Sequence, residues 1–198
     1  FHLDVRGKLS MGVLGKHLLN CADAYAAERG FDVVEQGGEH YTWVLSRLAI
    51  ELEDLPSCHE SFSIQTWVEN VYRLFADRNF VICNKDEKPI GYVRSVWAMI
   101  SMETRNPANL LALYGDRITN SICEKECPIA KPGRIKVAQQ EAVSEYVAKY
   151  SDLDINGHVN SIKYILYCAK AEILNTDFPT NSDTIREVIC FPTMKPLD

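Results

Sequence analysis

Long apolar runs are missing from this sequence. In its 198 residues, none approaches the ~20 consecutive apolar residues that a membrane-spanning helix needs. No charged-then-apolar segment opens it, so a cytoplasmic setting with reduced thiols is expected. Positive charge is in short supply: 21 Lys and Arg stand against 27 Asp and Glu, a formal net charge of −6. Sequence-independent nucleic-acid binding needs a basic face, so that class is set aside. Paired cysteines are absent as well. The seven cysteines are odd in number, and the closest two, Cys123 and Cys127, are followed by no second Cys or His pair. Neither a disulfide framework nor a zinc site is read from them, and no cofactor is implied. Cys21 and Cys168 fall on apolar helix faces and are expected in the core. What remains is an ordinary globular composition, 46% hydrophobic and 24% charged.

The first half alternates between two periodicities. Met11, Leu14, Leu18, Cys21 and Tyr25 recur every three or four residues, which marks one face of a helix over 10–29. Ser10 is its cap and Gly30 its stop. Apolar and aromatic runs then follow at 41–53, 62–75, 79–83 and 90–102, bounded by polar or Pro-containing loops. They predict consecutive strands of an antiparallel sheet. One long helix followed by such strands predicts an α+β layout, with the helix on one face of a curved sheet. Residues 103–137, punctuated by Pro107, Gly115, Pro128, Pro132 and Gly133, read as a connector with a helical turn around Leu110, Leu111 and Leu113. Residues 141–150 look extended, 160–174 helical, and the tail 175–198 does not read as long strands.

Chemistry concentrates in residues 151–161, Ser-Asp-Leu-Asp-Ile-Asn-Gly-His-Val-Asn-Ser. Asp154, Asn156 and His158 alternate, and alternate residues of an extended segment face one way. A carboxylate or imidazole takes a proton from water. An amide holds that water or donates to an oxyanion. A purely structural use stands beside this one, since Asp, Asn and Gly are the usual residues of turns before helices. The stretch also has a twin. Leu3-Asp4-Val5-Arg6-Gly7-Lys8-Leu9-Ser10 matches Leu153-Asp154-Ile155-Asn156-Gly157-His158-Val159-Asn160 at an offset of 150. Both enter an amphipathic helix, so an internal repeat is expected. Only the second copy carries Asn156 and His158; the first has Arg6 and Lys8.

Taken in order, Gly7-Lys8-Leu9-Ser10, Thr42-Trp43-Val44-Leu45-Ser46-Arg47, Thr66-Trp67-Val68-Glu69, Arg78-Asn79-Phe80, Gly91-Tyr92-Val93-Arg94-Ser95-Val96-Trp97, Thr104-Arg105 and Asp152 to Asn160 resemble the acyl-ACP thioesterase family, especially its bacterial members. The resemblance runs from Phe1 to about Tyr167. It implies a tandem hot-dog fold, in which two repeats each wrap an antiparallel sheet around a helix. The boundaries expected are 1–105 for the first repeat, 106–137 for the connector and 138–198 for the second. It implies hydrolysis of fatty acyl-acyl carrier protein (acyl-ACP) to free fatty acid, with Asp154, Asn156 and His158 as the catalytic set. The partner would be an acyl carrier protein bearing a fatty acyl-phosphopantetheine, in the cytoplasm of a bacterium. The acyl chain is implied to lie in the first repeat, where Met11, Leu14, Leu18, Trp43 and Trp97 are candidate lining residues; ordinary core packing is the alternative for each.

One departure matters. The family has a further glutamate in a strand after the second helix, and only Glu187 stands near such a place. The first copy runs from Ser10 to Glu103, whereas the sequence stops at Asp198 after Asn160. An incomplete second sheet is therefore expected, with apolar surface that a homodimer would cover. Two other functions stay open on the same grounds: a non-catalytic acyl or acyl-ACP binding protein, and an acyl-CoA thioesterase.

Overall fold

A computed structural model describes residues 3–4, 6–32, 34–133, 147–153, 159–165 and 185–190, with 34–36 and 185–190 described as backbone only. The first helix, α1 (Met11–Glu28), begins where Ser10 accepts a hydrogen bond from the Val13 N–H. Its buried stripe is Leu14, Leu18, Ala22 and Ala26, with Gly12 and Gly15 between. Five strands follow: β1 (Val34–Gln36), β2 (Glu39–Leu52), β3 (Ser63–Val71), β4 (Ala76–Cys83) and β5 (Pro89–Ser101). They lie in the order β1-β2-β5-β4-β3, antiparallel throughout. The expected α+β arrangement is present, and the four sequence-predicted strands match β2 to β5 within a few residues.

The structure differs from the sequence reading at three places. The hairpin β1–β2 was not expected; Gly37 and Gly38 supply its two-residue loop with φ of 65° and 82°, the backbone that a type I′ turn demands. The tail, expected to hold no long strand, contributes β6 (Ile185–Cys190). It pairs antiparallel with β2, Arg47 opposite Cys190 and Leu52 opposite Ile185. Of the run expected to be extended at 141–150, residues 141–146 lie outside the described residues, Lys149 has extended backbone, and Tyr150 already opens a 3₁₀ turn, Tyr150–Asp152. Of the helix expected at 160–174, residues 161–165 are helical and the remainder lies outside the described residues.

The core forms between α1 and the concave face of the sheet. Leu14 and Leu18 meet Leu45, Leu48, Ile50, Leu52, Phe80, Ile82 and Val93, all buried. Each such leucine stabilises the fold by roughly 1.5–3 kcal/mol. A register shift between Leu45 and Arg47 explains why Leu45 and Leu48 both point inward: a bulge adds one residue and reverses the alternation. Cys21 is half-buried against this cluster, as expected; Cys168 lies outside the described residues. A second cluster gathers Phe31, Met99, Leu110, Tyr114 and Ile118 with Trp43, from β2, β5 and the short helices α2 (Leu110–Tyr114) and α3 (Asp116–Thr119). Among the described residues no helix is long and apolar enough to cross a membrane.

The outer face of β3–β5 is covered by a strap of chain, residues 121–133. Trp67, Val81 and Cys83 pack against its Cys127, with Tyr92 and Ile129 beside them. The Cys123 N–H donates to the Val68 carbonyl at 2.8 Å, and the Trp67 indole to the Lys125 carbonyl at 2.8 Å. Arg94 donates to the Cys127 carbonyl at 2.6 Å and Arg47 to that of Pro132 at 3.1 Å.

Candidate active site

The two repeated stretches fold alike wherever both are described. In the first copy Leu3 bridges Leu9; in the second Leu153 bridges Val159, both antiparallel. Each hairpin leads into a helix capped by the polar residue that follows the bridge, with the accepted N–H three residues on in the first copy and two residues on in the second. Ser10 accepts from Val13, and the Asn160 side chain accepts from the Ile162 N–H at 3.0 Å. The 150-residue offset thus holds for bridge and cap together. It also holds between the helices: a Cβ placed on Gly15 would sit 2.8 Å from Cδ1 of Ile165, its counterpart in the second copy.

The first copy displays what the repeated aspartate can do. Asp4 accepts the N–H of Arg6 at 2.8 Å and of Lys8 at 3.1 Å, and Arg6 returns over it with Nε at 2.9 Å and Nη2 at 2.7 Å. Partial burial opposes its ionisation, but the Arg6 and Lys8 donors and the Arg6 charge outweigh that and hold the carboxyl below its usual range. Gly7, at φ 73°, turns the chain between them.

In the second copy the bridged residues Leu153 and Val159 flank positions 154–158. Asp154, Asn156 and His158 lie outside the described residues. Their stems are defined. Asp152, 2% exposed, ends the 3₁₀ turn. Its Oδ2 accepts the Lys149 N–H at 2.9 Å, its carbonyl accepts the Asn160 N–H at 2.8 Å, and Lys163 Nζ lies 3.0 Å from Oδ1. Glu187 is in β6 with its backbone opposite Ile50; its side chain is not described.

The candidate acyl-lining residues divide between two clusters. Leu14 and Leu18 are fully buried and Met11 and Trp97 pack against the same cluster, where the Trp97 indole donates to Ser95 Oγ at 2.8 Å. Trp43 belongs to the other cluster, its ring parallel to Tyr114 at 6.4 Å and its indole on the Phe31 carbonyl. Trp67 lies on the opposite face of the sheet, under the strap.

The strand arginines serve the scaffold. Arg94 pairs with Glu69 at 2.7 Å. Glu69 also accepts from Asn79 at 2.6 Å and lies 3.0 Å from Lys131. Arg78 lies over the Tyr25 ring at 4.3 Å, and burial pulls its guanidinium down to about 10. A cleft of about 420 Å³ between strap and sheet is lined by Glu69, Arg94, Cys123, Lys125 and Cys127 among others. Among the described residues no three His, Cys, Asp or Glu side chains gather as metal ligands would.

Comparison with known proteins agrees with this architecture. A family model described as the acyl-ACP thioesterase N-terminal domain matches residues 1–115, and that of the acyl-ACP thioesterase C-terminal domain matches 135–184. The chain belongs to the acyl-ACP thioesterase family. An acyl-ACP thioesterase structure from Bacteroides thetaiotaomicron is 58% identical, with a TM-score of 0.78 over 86% of this chain and 69% of that one. The 12:0-ACP thioesterase of Umbellularia californica shares the fold at 16% identity, with a TM-score of 0.67 over 84% of this chain and 68% of that one. The helix-on-sheet arrangement is therefore the tandem hot-dog fold of these thioesterases. Among curated relatives, a chloroplastic palmitoyl-acyl carrier protein thioesterase of Gossypium hirsutum is 25% identical over 74% of this chain and 37% of its own length. Oleoyl-acyl carrier protein thioesterase 2 of Arabidopsis thaliana is 27% identical over 69% of this chain and 41% of its own. The chain thus spans about two-fifths or less of these curated relatives.

Proposed function

We propose that this chain is a thiolester hydrolase acting on fatty acyl-ACP, with Asp154, Asn156 and His158 as its catalytic set. The observation that carries the reading is the paired hairpin. Two stems match at an offset of 150, and the polar constellation sits in only one of them. In the reaction, water attacks the thioester carbonyl carbon and its proton passes to Asp154 or His158. Asn156 holds that water or donates to the oxyanion. Collapse of the tetrahedral species breaks the C–S bond. The fatty acid leaves, and the phosphopantetheine sulfur takes up the proton as a thiol. The acyl chain is assigned to the first repeat, residues 1–105, against the α1 face of Met11, Leu14 and Leu18 with Trp97; Trp43 is the more distant candidate. Glu187 is the proposed stand-in for the family glutamate, and 138–198 the second repeat after a connector at 106–137. Cytoplasmic acyl carrier protein is the proposed partner. Val147, Tyr150 and Leu153, exposed at 83%, 93% and 41%, support a homodimer that covers them.

The test is turnover of acyl-ACPs of several chain lengths against the matching acyl-CoAs. Asp154→Asn, Asn156→Ala and His158→Ala should each lower kcat by about 10²-fold or more, with acyl-ACP affinity nearly unchanged. Arg6→Ala and Lys8→Ala should leave the chemical step intact. Full-speed hydrolysis by both Asp154→Asn and His158→Ala would show the site to be misassigned. Tight binding of acyl-ACP without turnover by the unmodified chain would replace the enzyme with a binding protein.

A further inference from the structure

Asp152 and Lys163 stand on either side of the proposed catalytic segment. Asp152 is almost wholly enclosed, its side chain 3% exposed, and Lys163 is 29% exposed. Through three separate groups Asp152 holds three pieces of chain: the residue before the 3₁₀ turn by Oδ2 on the Lys149 N–H, the returning stem by its carbonyl on the Asn160 N–H, and the first helical turn by Oδ1 on Lys163 Nζ. The backbone part of this arrangement repeats the bridged hairpin of the first copy. The ion pair does not. At the offset of 150 the counterparts of Asp152 and Lys163 are His2 and Val13, and Val13 carries no charge. The fold closes the first hairpin into its helix without a cation at that position. Enclosing a carboxylate is a poor route to stability, because desolvation consumes most of the Coulombic attraction. It is better suited to fixing geometry, and it occurs in the copy that carries Asp154, Asn156 and His158.

We propose that Asp152 and Lys163 are positioning residues for the hydrolytic reaction: their ion pair ties the first turn of the second helix to the stem that precedes segment 154–158, and so holds the frame that carries the proposed catalytic residues. The inference rests on the site assignment made above. Neither residue touches the substrate in this scheme; both act through the flanking stems they tie together. A displacement of about 1 Å at a reacting group costs up to roughly 10²-fold in rate, so loosening the pair is felt in turnover more than in binding.

The variants are Asp152→Asn and Lys163→Met, which remove one charge each, their double variant, and Lys163→Arg, which keeps the cation. Two readouts are taken on the full chain. The first is steady-state hydrolysis of acyl-ACP. The second, independent of turnover, is the imidazole ¹H–¹³C spectrum, with the His158 signal assigned by its loss in His158→Ala. The expected result is a kcat lower by about 10- to 100-fold in both single variants, with KM within about twofold. The His158 signal should shift while those of the other histidines stay. Lys163→Arg should return kcat to within about threefold. If a single variant fails to fold, the double variant, which leaves no lone charge enclosed, carries both readouts. Unchanged kcat and an unmoved His158 signal would overturn the proposal. So would a lower melting temperature alone, with folded molecules turning over at the normal kcat, since that is the mark of a merely structural pair. His158→Ala separates the two assignments. If it hydrolyses at full speed the site reading fails, while the His158 signal in the Asp152→Asn chain still decides whether the pair orients the loop.

Discussion

Replacing Gly15 by alanine adds a single methyl group, and the structure assigns that methyl a specific obstacle. The new Cβ would lie 2.8 Å from Ile165 Cδ1, with Ile165 Cγ2 at 3.7 Å and Cβ at 3.9 Å. Carbon atoms rest at about 3.5–4.0 Å, so only Cδ1 must give way, by about 1 Å. Ile165 is 0% exposed and enclosed by the core, so it can give way only by displacing neighbours. Overpacking of this kind costs about 1–3 kcal/mol. Against it stands the better helix propensity of alanine, about 0.8–1.0 kcal/mol. The net expectation for Gly15→Ala is a loss of about 1 kcal/mol, a fall of about 2–4 °C in Tm for a chain of this size. Ile165→Val deletes Cδ1 and on its own costs about 0.5–1.5 kcal/mol. In that background the remaining Ile165 contacts are ordinary ones, and the helix gain is free to act. Gly15→Ala should then stabilise by about 1 kcal/mol, reversing its sign. Urea unfolding of the four chains measures the coupling, expected near 2 kcal/mol. If Gly15→Ala stabilises the unaltered chain, or if its effect is the same in both backgrounds, the contact between the two helices is not the one described.

Two other perturbations follow from the sheet and its strap. Gly91 faces Leu52 across β2 and β5, and a Cβ there would lie 3.0 Å from the Glu51 carbonyl oxygen and 3.2 Å from Leu52 Cα. Paired backbone cannot retreat as a side chain can, so Gly91→Ala should cost about 3 kcal/mol, read as a fall of about 6–12 °C in a thermal scan; a change under 2 °C would contradict it. Burial opposes ionisation of Glu69, but hydrogen bonds from Asn79 and Lys131 and the Arg94 charge prevail and hold its carboxyl below the ordinary 4.5. Its contribution is therefore complete above pH 4.5 and is lost as pH falls through the lower folded value. Wild-type Tm should drop more steeply below pH 4.5 than that of Glu69→Gln, and parallel curves would refute the assignment.

The sequence made the scaffold legible where one periodicity ran unbroken. The stripe Leu14, Leu18, Ala22 and the alternation through β3 needed no tertiary information. Which face of the sheet Trp67 occupies was not legible, because an aromatic residue in a strand reads the same on either face; only the strap, itself without periodicity, shows it. β1 was missed because three residues carry too little pattern, although Gly37-Gly38 was a usable turn signal. β6 went unseen since its order depends on an edge of β2, a partner more than a hundred residues away. As for the site, the repeat was readable from Leu3–Ser10 against Leu153–Asn160, and so was the polar set it frames. Asp152 and Lys163 were not: they lie 11 residues apart in the sequence, and nothing in either one's neighbours announces that a hairpin folds them together.

The meeting of Gly15 with Ile165 has a consequence for how two such halves come to belong to one chain. When identical subunits pair about a two-fold axis, a position on the axis faces its own copy, and one side chain must serve both sides. Here the positions related by the repeat touch, yet one is the smallest residue and the other a branched aliphatic. Two glycines at that point would leave a void; two isoleucines would collide. Joining the halves in a single polypeptide lifts the requirement of sameness, and socket and knob can diverge. The same divergence works as a lock on partnership, because a first half set against another first half, or a second against a second, meets the wrong shape at the centre of the contact.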